Sequence, residues 1–117
     1  MKKNILKEKS CQFAIEIVKL SQQLNNNNKE YVLSKQLLRS GTAIGALIRE
    51  GEYAQSKPDF IHKLSISLKE ANETLYWLDI LKDINYISKE TYQSLYATNK
   101  ELLAMLISSV KTTKTRL

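Results

Sequence analysis

Chemistry would have to run through very few side chains in this 117-residue sequence. His62 is its only histidine and Cys11 its only cysteine. Asp59 and His62 are three apart, faintly like the carboxylate-x-x-His element of di-iron bundles. Such a centre needs two of those elements and two further carboxylates, and one histidine cannot supply them. Ser-His-Asp or Cys-His machinery would need the same residue, which helical spacing puts on an exposed face. A lone cysteine closes no intrachain disulfide, and Cys11 falls on or beside the core face of the first helix, where packing explains it. No metal, cofactor or enzymatic activity is expected.

Charge is the more promising chemistry. The formal net charge is +6. The first nine residues hold Lys2, Lys3, Lys7 and Lys9 against Glu8, and the last seven hold Lys111, Lys114 and Arg116 with no acid. The 101 residues between carry 11 basic and 11 acidic side chains, so the excess is terminal. A second basic feature is the series Lys35, Arg39, Thr42, Ala46, Arg49 and Tyr53, in a three-four rhythm with no acid between Glu30 and Glu50. Such a stripe can track phosphates. It can equally be a solvated face, with Arg49 paired to Glu50, Glu52 or a neighbouring acid, and basic tails can simply aid solubility. Tyr76 with Trp77 and Tyr92 with Tyr96 could stack bases, although aromatics at helical spacing more often belong to a core or an interface. Glu70 and Glu73 suit surface ion pairs, Lys69 with Glu73 being four apart.

The segment GTAIGALIREG, from Gly41 to Gly51, puts two glycines four apart in a helical pattern. Each costs on the order of 1 kcal/mol relative to alanine. Close approach of a neighbouring backbone at Gly41 and Gly45 is the expected compensation, with Leu37, Ile44 and Ile48 packed alongside. A phosphate-binding loop is the sharper alternative, but no strand precedes it and no Lys-Ser/Thr pair follows.

These residues must be positioned by helices. Three glycines and one proline in the whole chain leave long stretches without a breaker, which predicts one all-α domain. Apolar spacing predicts helices over about 5–24, 29–53, 57–84 and 89–111. The run Asn25 to Asn28 reads as a polar turn. Ser56 with Asp59 makes a capping signature, Pro58 suits the first turn, and Ser88 caps the last helix. Core stripes are expected at Phe13, Ile17, Leu20 and Leu24, at Ile61, Leu64, Leu68, Ala71, Leu75 and Leu78, and at Tyr92, Leu95, Leu102, Leu106 and Val110. Short connections favour an antiparallel up-down-up-down bundle, which gathers both basic termini at one pole.

Near its C-terminal end the third helix has hardly any polar face: Leu75, Tyr76, Trp77, Leu78, Ile80, Leu81 and Ile84. A helix apolar all round must be covered on more than one side. A homo-oligomer interface at Tyr76, Trp77 and Ile80 is therefore expected. No apolar run approaches the roughly 20 residues that span a bilayer. The N-terminus begins like a signal peptide, but Lys7, Glu8 and Lys9 interrupt it, so a cytoplasmic protein without membrane contact is expected.

GTAIGALIREG followed by AQSKPDFIHKLSISLKEANETLYWLDIL resembles the bacterial four-helix-bundle family first associated with open reading frames in intervening sequences of 23S ribosomal RNA genes. The resemblance runs from Phe13 to the fourth helix. Its motif matches are Arg39, Gly41, Thr42, Ile44, Gly45, Ile48, Arg49 and Glu50, then Phe60, Lys69, Glu70, Ala71, Glu73, Tyr76, Trp77 and Leu78. It implies a left-handed up-down-up-down bundle that assembles as a homopentamer. It also implies kinship with the accessory variability proteins of diversity-generating retroelements, basic pentamers that bind nucleic acid and a reverse transcriptase. The family often has Ser and Asn where this chain has Ala43 and Leu47, so apolar packing replaces a polar contact there. The resemblance carries no settled activity. Two functions are then expected: RNA or DNA binding by a non-enzymatic homo-oligomer, or a scaffold for another protein such as a polymerase. Nucleic-acid contact would fall to Lys2, Lys3, Lys7, Lys35, Arg39, Arg49, Lys111, Lys114 and Arg116.

Overall fold

Four helices succeed one another in the computed structural model, which describes residues 4–115. They are α1 (Ile5–Asn28), α2 (Leu33–Glu52), α3 (Lys57–Asp83) and α4 (Lys89–Thr115). Side-chain oxygens satisfy backbone N–H groups that helix starts leave unpaired. Asn4 accepts from Lys7 N at 3.0 Å, Ser56 from Asp59 N at 3.2 Å and Ser88 from Thr91 N at 3.1 Å. Asp59 completes its turn by accepting from Gln55 N.

The asparagine run is not the first turn. Asn25 to Asn28 continue α1, and the helix stops at Lys29, whose φ of 52° is left-handed and whose N–H donates to Leu24 O. Glu30 then caps α2, its carboxylate accepting from the backbone N–H groups of Val32, Leu33 and Ser34 at 3.2, 3.0 and 2.8 Å. A carboxylate facing the positive end of a helix outcompetes asparagine's weak turn preference. Asn25 is held meanwhile by the Ser34 hydroxyl at 2.8 Å.

Sequential helices run antiparallel. Lys7 meets Glu52 at 3.2 Å, Lys63 meets Glu50 at 3.0 Å, and Asn99 Nδ2 donates to Ala71 O at 3.1 Å. Lys9 reaches Glu101 at 2.8 Å, closing the circuit between α1 and α4. The result is an all-α four-helix bundle of 48 × 25 × 22 Å. Its start of α1, end of α2, start of α3 and end of α4 share one pole. The α1–α4 seam is the loosest of the four and opens into a groove of about 800 Å³, floored by Phe13, Leu20 and Leu95 and rimmed by polar side chains.

Phe13, Ile17, Leu20, Leu24, Leu37, Ile44, Ile48, Leu64, Leu78, Leu81, Leu102 and Leu106 form the buried core. Ile61 and Leu68, expected in the core stripe, are only half-buried. Their places facing α2 go to Ser67 and Thr74, which are fully buried. Ser67 donates to Ile44 O at 2.9 Å, and Thr74 to Ser40 Oγ at 2.9 Å. Small hydroxyls let α2 and α3 approach while keeping every donor bonded. Gly41 and Gly45 face α1 instead: a Cβ at Gly41 would touch Ile17, and one at Gly45 would touch Ser10.

Asn99 is the exception to this satisfaction. It is fully buried, and its Oδ1 has no hydrogen-bond partner among the described residues. An unmet buried acceptor costs about 1–3 kcal/mol, more than the roughly 0.5–1.5 kcal/mol contributed by the Asn99 bond to Ala71 O that leucine would also remove. Asn99→Leu is therefore expected to raise the urea midpoint, by about 1 kcal/mol in stability. A lower midpoint would show that the bonds Asn99 makes, that to Ala71 O among them, outweigh the cost of its buried acceptor.

Candidate nucleic-acid interface

The outer face of α2 carries Lys35, Arg39, Arg49 and, just past its end, Tyr53. Lys35 and Arg49 are exposed and have no ion-pair partner among the described residues. Tyr53 is 85% exposed. Arg39 departs from the expected row of free cations. Its guanidinium bridges Glu70 at 3.2 Å and Glu73, because antiparallel packing brings α3 carboxylates beside the middle of α2. Hydrogen bonds that the guanidinium donates to Glu73, then to Glu70, push the Arg39 pKa up. Glu73 lies below the usual carboxylate range because the Trp77 indole N–H donates to it at 3.0 Å and Arg39 adds its own bond. The i,i+4 partner Lys69 is left exposed without that pair. Arg39 is thus an inter-helix tie, and the row of unpaired cations on α2 reduces to Lys35 and Arg49.

At the pole shared by both chain ends, the acids are largely occupied. Glu50 holds Lys63, Glu52 holds Lys7, and Asp59 is engaged in its helix cap. Lys7, expected as a phosphate contact, thus already has a carboxylate partner. Lys111 and Lys114 sit exposed in the last turns of α4 with no ion pair among the described residues. Lys2, Lys3 and Arg116 lie outside the described residues. Glu8, in the first turn of α1, is exposed without a partner among the described residues, and the cations of this pole without a carboxylate are Arg49, with Tyr53 one turn on, at the end of α2 and Lys111 and Lys114 at the end of α4.

The far half of α3 presents the apolar side chains expected at an interface. Tyr76 is 58% exposed, and Trp77 and Ile80 are half-buried. The Tyr76 and Trp77 rings meet edge-on at 5.0 Å. Ile84 extends this stripe at 43% exposure. Ile15 of α1 is also exposed, as is Val18, whose spacing puts it beside the core stripe of that helix. On α4, Tyr92 donates its hydroxyl to Asp79 at 2.5 Å, and that bond pushes the phenol pKa up to about 12.

Among the described residues, no group of three or more His, Cys, Asp or Glu side chains is placed to hold a metal ion. No described helix is long and apolar enough to cross a membrane.

Residues 2–108 match the family profile described as 23S rRNA-intervening sequence protein. Among solved structures, the chain is similar to a crystal structure from Bacteroides thetaiotaomicron VPI-5482. That protein is described as one of unknown function from the S23 ribosomal protein family. The two share 54% identity and a TM-score of 0.90, over 92% of this chain and 99% of the other. No curated protein matches the sequence.

Proposed function

This chain belongs to the 23S rRNA-intervening sequence protein family, and from that premise we propose that it is a non-enzymatic, cytoplasmic homo-oligomer that binds RNA through its basic pole. One observation carries the reading. Glu50, Glu52 and Asp59 at that pole are engaged elsewhere and Glu8 alone stands exposed without a partner among the described residues, while Arg49, Lys111 and Lys114 stand exposed without a carboxylate. Lys2, Lys3 and Arg116 add to the charge of the same chain ends. Binding of this kind neutralises phosphates and reads no bases, so it falls steeply with salt and discriminates little between sequences. Assembly multiplies it. If copies gather with their axes roughly parallel, as the resemblance to pentameric bundles suggests, several basic poles form one rim.

The names of the family and of its relative refer to 23S rRNA and to a ribosomal protein family, which makes fragments of 23S rRNA the first probe. In a gel-shift salt series, replacing Lys2, Lys3, Lys111, Lys114 and Arg116 by Gln is expected to weaken binding. The log-log salt slope should flatten by about 0.7–0.9 for each phosphate that is no longer neutralised. An unchanged slope would overturn the assignment of this pole. A second reading draws on the exposed apolar stripe of α3: a scaffold docking another protein, such as a polymerase. Wild-type protein that shifts no nucleic acid at low salt but retains such a partner would favour it.

A further inference from the structure

We propose that the outer face of α4 is a track for single-stranded RNA, on which one unpaired base stacks against Tyr96. The inference rests on the nucleic-acid reading above and extends it to a ligand class. Lys89, Tyr96, Lys100, Lys111 and Lys114 are separated by multiples of the helical three-four spacing, so they share one face of α4. All five are exposed. From Lys89 to Lys114 the face runs roughly 38 Å at 1.5 Å per residue, and it ends in the basic pole. No carboxylate of α4 lies on it, and the neighbouring α3 acids Asp79 and Asp83 are held by the Tyr92 hydroxyl and by Lys82. The two α4 acids point towards the α1 side, where Glu101 holds Lys9 at 2.8 Å and Glu90 lines the α1–α4 groove.

Tyr96 is a prepared platform. Its ring rests on that of Tyr92, with centroids 5.6 Å apart and planes inclined by 32°. Tyr92 is fixed in turn by its bond to Asp79 and by Lys82 Nζ, 4.3 Å from the ring centroid. Lys100 Nζ hovers 5.4 Å from the Tyr96 centroid and makes no ion pair among the described residues. A base arriving on the ring displaces only this flexible ammonium, which then meets the phosphate of the same nucleotide. Alternation of an aromatic surface with cations is how proteins hold single strands without reading sequence. A base inside a duplex is already stacked on both sides, so a duplex gains from the lysines alone.

Fluorescence anisotropy with a short oligouridylate and with an RNA duplex of equal length tests this, using wild type, Tyr96→Ala, Tyr96→Phe and the Lys111→Gln, Lys114→Gln double variant. Tyr96→Ala is expected to weaken oligouridylate binding about tenfold, the effect of removing one stacked base. Its salt slope should stay unchanged, because the ring neutralises no phosphate. Tyr96→Phe should bind like wild type, and neither substitution should alter duplex binding. The double lysine variant should weaken both ligands and flatten both slopes. If Tyr96→Ala matches wild type on oligouridylate while the lysine variant binds more weakly, the platform is wrong and the basic pole survives. If wild type binds neither ligand at low salt, the nucleic-acid reading itself fails. Tyr96 is more than a third exposed, so its truncation leaves the fold intact, which circular dichroism verifies.

Discussion

Gly41→Leu is expected to abolish folding, and Gly41→Ala to destabilise the bundle by about 2 kcal/mol. Two effects oppose each other in the alanine variant. Alanine in a helix interior gains up to about 1 kcal/mol over glycine. Against it, the new Cβ would sit 2.8 Å from Ile17 Cγ2 and 2.9 Å from Cγ1. Those distances are well inside contact, and Ile17 cannot step aside. It is fully buried, and a β-branched side chain on a helix has one strongly preferred χ1. Overpacking of this kind costs about 1–3 kcal/mol, occasionally more, and two such clashes put Gly41 at the upper end. The clash therefore outweighs the propensity gain.

The other glycines act as internal controls. A Cβ at Gly45 would lie 3.2 Å from Ser10 Oγ, a contact tight by only a few tenths of an ångström. Gly45→Ala should leave stability within about 0.5 kcal/mol of wild type, the two effects being nearly equal. At Gly51 the nearest atom is Phe60 Cδ1 at 3.6 Å, an ordinary contact, so Gly51→Ala should stabilise by about 0.5–1 kcal/mol. Urea titration of the three variants gives the order directly. A double-mutant cycle sharpens the mechanism: in an Ile17→Ala background the space is vacated, and Gly41→Ala should turn from destabilising to stabilising. If the cycle shows no coupling, close approach of α1 is not why glycine occupies this position.

The glycine pair was legible because a helix that tolerates two residues of poor propensity needs a compensating contact. Which helix approaches is a tertiary fact, and no local pattern contains it. The same division runs through the rest of the molecule. Phe13, Ile17, Leu20 and Leu24 announce their burial by spacing, since large apolar groups have no other stable place. Ser40, Ser67, Thr74 and Asn99 look like surface residues in sequence but are buried, because a nearby carbonyl or hydroxyl accepts their hydrogen bonds. The asparagine run misled because local propensity is weak beside a carboxylate holding three backbone N–H groups of the next helix.

The charge pattern was legible as a total and as a distribution along the chain, not as a set of free cations. Arg39 reads as part of a basic stripe only until α3 is laid beside α2 and its glutamates close on the guanidinium. The α4 row of lysines with Tyr96 was obscured by the opposite effect. Its members are spread thinly over 26 residues, and Glu90 and Glu101 between them make the segment look mixed until a helix sorts the charges onto different faces.

Tyr76→Glu with Ile80→Glu is expected to convert the assembled protein to a monomer of 13.5 kDa that keeps its helical circular dichroism. Tyr76, Ile80 and Ile84 stand four apart, and Tyr76 and Ile84 are 58% and 43% exposed in the isolated protomer. On the opposite side of the same helix Leu75, Leu78 and Leu81 are already in the core, so the outer stripe is surplus to what one bundle can cover. Tyrosine and isoleucine inside a subunit contact each bury apolar area worth on the order of 1–3 kcal/mol. A glutamate there brings an unpaired charge into a desolvated site at a cost of several kcal/mol. Two such changes exceed what association between small domains can absorb. Trp77 is the less decisive position, because it is half-buried against the core and its indole binds Glu73. A carboxylate in its place would repel Glu73 and loosen the protomer itself, confusing dissociation with unfolding. Light scattering on the Tyr76 and Ile80 double variant separates the two. A wild-type mass above that of one chain, unchanged by the double substitution, would move the contact to another face, with the exposed Ile15 and Val18 of α1 next in order. A wild-type mass of one chain at micromolar concentration would remove the oligomer altogether and leave the basic pole to act singly.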